Sequence, residues 1–252
     1  SGLVIAKLFG ETAFRNWSSI RRAIAPFELS PAAVPTAWRS WSMMNSVSFV
    51  HGSSSMSVPS RARVAPNGHL GAMTTFVTGD SYTTPGQFST RTTILDMRKG
   101  RAITDLETFS VTKDGKRIRS QDFNFWGVTF ARDSDEFYAT LATGGHHYLV
   151  HGRVSTRSVE VLRDNVECPS LSPDGTRIAY KRRTASAERP WRLTVLDLDT
   201  MRETPLAETR SVDDQAEWLD DEHVLYGVDG EVETVPADGS GAPQRFLAEA
   251  DS

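Results

Sequence analysis

Apolar and polar residues alternate along most of this chain in short runs, each closed by a turn signal. In VECPSLSPDGTRIAY, residues 166–180, a short strand runs into Ser172-Pro173-Asp174-Gly175 and a second strand leaves it. Proline fixes φ at the first central turn position, aspartate bonds its own backbone, and glycine takes the left-handed position that follows. The layout recurs. RVAPNGHLGAM sets Ala65-Pro66-Asn67-Gly68 between apolar runs, and TFARDSDEFYAT uses Asp133-Ser134-Asp135 without a proline. EWLDDEHVLYG closes a turn one residue shorter at Asp220-Asp221-Glu222. The apolar residues just before these four turns are Val64, Phe130, Leu171 and Trp218.

A second hairpin follows each of the first: TRTTILDMRKGRAITDL, HYLVHGRVSTRSVEVL, RLTVLDLDTMRETPL and VETVPADGSGAPQRFL. Two hairpins make a four-stranded antiparallel meander, and a repeat of roughly 40–45 residues is that of a propeller blade. One meander cannot cover both of its own apolar faces, so neighbouring units must stack around an axis. The pattern therefore predicts an all-β chain, a β-propeller of four-stranded antiparallel blades with four blades clear.

The SPDGTRIAY hairpin and its echoes resemble the Pro-Asp blade repeats of TolB-like β-propellers, over about residues 59–247. The third unit carries the motif in full, while the second lacks both its proline and its glycine. What the resemblance implies is first a fold. It further implies an interaction scaffold of the cell envelope, or a non-catalytic gating domain attached to a peptidase. The expected role is thus non-catalytic binding of a protein or small-molecule partner outside the cytoplasm, whether periplasmic, secreted or membrane-anchored. Two alternatives stay open: a propeller enzyme of lyase or hydrolase type working at the channel mouth, and a regulatory or sensor domain of a longer polypeptide.

Residues 59–252 hold the blades, and residues 1–58 follow no such pattern. Pro26, Pro31 and Pro35 break up this leading stretch, which is rich in Ser, Ala, Trp and Arg. It is expected to supply a degenerate first blade, a closing strand or an arm. The six blades usual in the resembled family do not fit this length, so the ring is either small or incomplete, with an edge open to pairing. Two lengthened connections stand out. Residues 79–89 carry Tyr82, Pro85 and Phe88, and residues 107–123 hold Lys113-Asp114-Gly115-Lys116, a hairpin turn that predicts a protruding ribbon. Loops on a rigid scaffold are where binding gathers.

Aligning the repeats picks out a candidate site. Four residues before each anchor stand Ser60, Trp126, Glu167 and Asp214, and two before stand Ala62, Val128, Pro169 and Ala216. Side chains alternate along a strand, so these sets should share a face with the anchors. The start of each innermost strand opens onto one end of a propeller channel. Ser60, Trp126, Glu167 and Asp214, with Asp213 and Gln215 beside them, are the expected ligand- or partner-binding residues of that mouth. Carboxylates at such positions also cap turns by accepting backbone N–H groups.

Charge and reactive groups narrow the picture little further. A net charge of −4 gives no broad basic field, which argues against nucleic acid. No apolar run nears the ~18 residues of a membrane span. Neither the nucleophile elbow nor a phosphate loop is present. His146, His147 and His151 form the one histidine cluster, but on a strand His147 and His151 would stand about 13 Å apart, too far for one metal ion. No catalytic residue, metal or cofactor is assigned. Cys168, the single cysteine, reads as a small packed residue.

Overall fold

The computed structural model describes residues 57–77, 89–132 and 135–247. The structure expected of residues 1–58 therefore lies almost wholly outside the described residues. So do its pairing with the last strand and the loop carrying Tyr82, Pro85 and Phe88.

The chain is all-β and built of propeller blades, each an antiparallel meander. Strands β1 (Ser57–Val64), β2 (Leu70–Val77), β3 (Ser89–Asp96) and β4 (Arg101–Asp105) form the first sheet, in that order. Next come a one-turn 3-10 helix at Leu106–Thr108 and a small hairpin, β5 (Ser110–Lys113) and β6 (Lys116–Ile118). The second meander follows: β7 (Asn124–Phe130), β8 (Glu136–Thr143), β9 (His146–Arg153) and β10 (Ser158–Asp164). The third sheet runs β11 (Glu167–Leu171), β12 (Arg177–Arg183), β13 (Trp191–Asp197) and β14 (Glu203–Pro205). The fourth runs β15 (Glu217–Trp218), β16 (His223–Val228), β17 (Glu231–Pro236) and β18 (Gln244–Leu247).

Val64, Phe130, Leu171 and Trp218 each end the first strand of their four-stranded meander. The bond that closes each turn also recurs: the N–H after the anchor donates to the carbonyl of Leu70, Glu136, Arg177 or His223, at 2.8–3.0 Å. The fourth loop is one residue shorter, as its sequence requires. In the third turn, Gly175 has φ +78° and its N–H donates to Ser172 O at 2.9 Å. Asp174 Oδ1 accepts the Thr176 N–H and hydroxyl at 2.9 and 2.8 Å. The first turn repeats this with Gly68 at φ +73° and Asn67 Oδ1 accepting the His69 N–H at 2.9 Å.

Two expectations need correction. The residue 107–123 ribbon does not stand free: β5 pairs parallel with β10, so the second blade becomes a six-stranded sheet of order β6-β5-β10-β9-β8-β7. Its main chain finds partners along an outer edge that would otherwise be bare. Nor do the aligned positions keep strict alternation. Register shifts fall between Pro59 and Arg61 and between Trp126 and Thr129. Gly127 and Cys168, both three residues before an anchor, have φ of +63° and +52°. A bulge of this kind re-aims the side chains that precede it. At Gly127 it also allows close approach, since an added Cβ would sit 2.8 Å from the Cα of Cys168.

The chain divides into two compact units, which among the described residues run from 57 to 171 and from 172 to 247. The first has its core around Ile94, Phe125, Phe137, Leu141 and Val150, all fully buried. Its blades are joined by polar groups as well. Thr92 Oγ1 donates to Phe125 O at 2.5 Å, and the Thr90 N–H donates to Asn124 Oδ1 at 2.7 Å. Glu107 sits in this seam, its oxygens accepting the Thr92 N–H at 3.0 and 3.1 Å. Burial pushes its carboxyl up to about 7, against the pull of backbone N–H groups that include those of Thr92 and Phe125.

The second unit packs Leu193, Val195, Leu206, Trp218, Val224 and Tyr226. Beside them lies a charged network. The Arg210 guanidinium meets Glu208 at 2.5 Å and also pairs with Glu233, while the buried Tyr226 hydroxyl donates to Glu208 Oε2 at 2.7 Å. Burial alone would raise the Glu208 carboxyl, but the Arg210 bonds and the Tyr226 hydroxyl outweigh it and hold it at about 2. The same burial and the facing carboxylates push the Tyr226 phenol up.

Candidate functional site

In the first unit the start of β7, the β8–β9 turn and the start of β11 come together through main-chain and threonine bonds. The Val166 N–H donates to His147 O at 3.0 Å. Thr140 Oγ1 accepts the Cys168 N–H at 2.9 Å and donates to Val166 O at 3.4 Å. Thr129 Oγ1 accepts the Leu171 N–H at 3.1 Å. Asp122 fixes the turn, taking the Thr143 hydroxyl at 2.5 Å and the Gly144 N–H at 2.8 Å. These donors hold the Asp122 carboxyl below its ordinary range, with the Ser120 hydroxyl contributing most.

This framework sets three side chains against one another. The His147 ring meets the Trp126 indole edge-on, with centroids 5.4 Å apart and planes at 74°. His147 Nδ1 pairs with Glu167 Oε1. Trp126 and Glu167 are 9% and 8% exposed, whereas the imidazole is about a third exposed. The indole and carboxylate thus form the fixed backing and the imidazole the reachable part. With Nδ1–H turned to the carboxylate, Nε2 of a neutral ring is an acceptor.

The structure thus joins two of the aligned residues, Trp126 and Glu167, through a third that alignment did not choose. The two flanking histidines have carboxylates of their own: His146 Nδ1 lies 2.8 Å from Asp164, and His151 Nε2 lies 3.0 Å from Glu136. The sequence signal for His147 was the cluster itself. Which of its members meets a β11 carboxylate depends on strand register, with His147 opposite Ala142 and Ala142 opposite Asn124. Ser60 lies at the register shift of β1, and its side chain is outside the described residues.

Asp213, Asp214 and Gln215 belong to the second unit. They precede β15, which begins only at Glu217, so Asp214 and Ala216 occupy a loop where the alignment placed them on a strand. Asp214 is 5% exposed, and its Oδ1 accepts the Gln215 N–H at 2.8 Å, the turn-capping role open to such a carboxylate. Asp213 Oδ1 lies 2.6 Å from Lys181 Nζ. Lys181 and Trp191 are further residues that the repeat alignment passed over. Their signal is a basic run, Lys181-Arg182-Arg183, facing an aromatic across the next hairpin, with Arg183 opposite Trp191.

No family model matches the sequence, and no curated protein matches it. Solved structures do. TolB from Acinetobacter baumannii is 18% identical with a TM-score of 0.50, the match covering 73% of this chain and 41% of that one. A puromycin-hydrolyzing peptidase of Mycobacterium tuberculosis is 16% identical with a TM-score of 0.51, covering 80% of this chain and 30% of that one. The chain therefore spans less than half the length of either. The likeness is one of fold: the blades are TolB-like propeller blades.

Proposed function

We propose that this chain is a non-catalytic binding propeller acting outside the cytoplasm, in the cell envelope or beyond it. It holds a protein or small-molecule partner at the leading ends of its innermost strands. The observation that carries the reading is the Trp126–His147–Glu167 group. It combines an aromatic edge, an oriented imidazole and a buried carboxylate on rigid strands, which is the make-up of a recognition site. The hydroxyls built into its frame, Thr129 and Thr140, are engaged with the β11 backbone and so are poorly placed as nucleophiles. Asp213, Asp214 and Gln215 belong to the proposed binding set within their own unit. The TolB-like fold supports the scaffold role and the extracytoplasmic setting.

A second reading is favoured by one observation, the carboxylate held against His147 Nδ1, which is how an imidazole base is oriented. The two separate in one experiment. A photo-crosslinking residue replaces the exposed His146, and adducts are collected from envelope and cytoplasmic fractions of the source cells. An envelope adduct that is lost on Trp126→Ala and on Glu167→Gln, with circular dichroism unchanged, is the expected result. An adduct indifferent to both variants, or ester or peptide turnover abolished by His147→Ala, would replace the binding reading with the enzymatic one.

A further inference from the structure

The β5–β6 hairpin carries the edge of the second sheet outward: β5 pairs with β10, and β6 is the last strand in the order. Its turn fixes which groups that edge offers. Asp114 and Gly115 have φ of +50° and +71°, the two left-handed central residues of a tight hairpin turn. Lys113 and Lys116, which flank them, are paired across the strands, and the Thr112–Arg117 pair follows. Pairs along an antiparallel ladder alternate between those that exchange main-chain bonds and those that do not. The pair that closes a two-residue turn exchanges them, so the next does not. Arg117 therefore turns its N–H and C=O away from β5, toward the open side. The ribbon is fixed at its root. Val111 of β5 is 1% exposed, and Lys113 Nζ donates to the Tyr148 hydroxyl at 2.9 Å while lying 4.4 Å from the ring centroid.

Charge sets this edge apart. The outermost strands of the other three sheets each have an ion pair within their own sheet: Asp105 of β4 with Arg91, Glu203 of β14 with Arg182, and Arg245 of β18 with Glu231. Lys116, Arg117 and Arg119 are exposed and make no ion pair among the described residues. The one carboxylate from 113 to 119, Asp114, sits in the turn itself. Cations on a short edge strand keep other edges away. They do so by charge, so the exclusion is selective. A second copy would set like charges opposite one another, whereas an acidic strand gains a pair at each position. From the open main chain and the unmatched cations we infer that β6 is a docking edge for an extended acidic segment of a partner protein, added as a further strand. The edge also dictates the order of the partner's residues. Ile118 packs against the apolar core on the face shared with Val111, while Arg117 shares the opposite face with Thr112. An antiparallel partner thus reads acidic, apolar, acidic, acidic opposite Arg119, Ile118, Arg117 and Lys116. The inference uses none of the Trp126, His147 or Glu167 side chains, and its outcome does not depend on the binding reading above.

Fluorescence anisotropy with a labelled peptide carrying Glu-Val-Glu-Glu between neutral flanks tests it on this chain. Saturable binding that weakens as salt rises is the expected result. Arg117→Glu should weaken it at least about tenfold, since a favourable cross-strand charge pair becomes a repulsive one. A peptide N-methylated at the glutamate after valine, the one opposite Arg117, keeps every charge but loses one main-chain bond. It should bind about fivefold weaker. This arm leaves the protein untouched, so it tests strand addition even where a variant fails to fold. The inference is overturned by no saturable binding, by binding indifferent to either change, or by equal binding of a Lys-Val-Lys-Lys peptide. Tighter binding to phosphatidylglycerol vesicles than to the peptide, lost in Arg117→Glu, would make the edge a membrane contact instead. Self-association in sedimentation, abolished by Arg117→Glu, would assign it to a second copy.

Discussion

Glu107 and Glu208 are both carboxylates set into the interior of a blade assembly, and their surroundings drive them in opposite directions. The groups that favour the Glu107 carboxylate are neutral, its own backbone N–H and those of Thr92 and Phe125, so burial prevails, with Asp105 adding repulsion, and its carboxyl rises to about 7. Glu208 is 2% exposed, yet its carboxyl stays at about 2 because a guanidinium and a phenol share its oxygens. Loss of solvent contact alone does not decide the ionisation of a buried acid. Whether a full positive charge comes with it does.

The largest expected effect follows from removing that charge's partner. Glu208→Ala leaves Arg210 and the Tyr226 hydroxyl with Glu233 as their remaining shared acceptor; because the guanidinium is 40% exposed and stays paired, the cost is about 2–3 kcal/mol, read as a fall in the urea midpoint. Should Glu208→Ala cost no more than a surface substitution, the network is ornamental. Tyr226→Phe removes one donor of the same network and should cost about 1 kcal/mol in the same assay.

The pH profile sharpens the contrast. The folded carboxyl of Glu208 lies below its ordinary 4.5, so its contribution is present above pH 4.5 and lost as pH falls toward about 2. Glu107 lies above 4.5 when folded, so its contribution is full below pH 4.5 and lost as pH rises through about 7. Thermal melting across pH 2–8 should therefore show a shoulder on each side of pH 4.5. Glu107→Gln should flatten the neutral side alone, with the smallest change in stability of the three variants near neutrality. Glu208→Gln should flatten the acid-side slope and lower the melting temperature throughout the range above pH 4.5. A neutral-side slope that survives Glu107→Gln would mean another group titrates there.

What was legible in the sequence was whatever a few adjacent residues enforce. Ser172-Pro173-Asp174-Gly175 makes its turn with its own atoms, and the echoes at Ala65 and Leu219 do so by the same bonds. Turn chemistry repeated along the chain was enough to fix the four meanders and the anchors that end the first strand of each, though not the two strands added to the second sheet. The bulges were not legible, since the positive φ at Cys168 arises on a residue with no intrinsic preference for it.

Of the site, Trp126 and Glu167 could be named from their places in the repeat, but not the imidazole between them. His147 meets Glu167 because the chain entering β11 of the third sheet bonds to the start of β9 in the second, the Val166 N–H donating to His147 O, and no local pattern encodes that approach. Lys181 was hidden for the same reason: a carboxylate it meets, Asp213, lies 32 residues downstream. The sequence alone determined a chain of repeated four-stranded blades, because backbone preference and alternation act over a handful of residues. Only the tertiary structure decided which charges are buried together, because desolvation and pairing depend on neighbours that the chain brings in from far along its length.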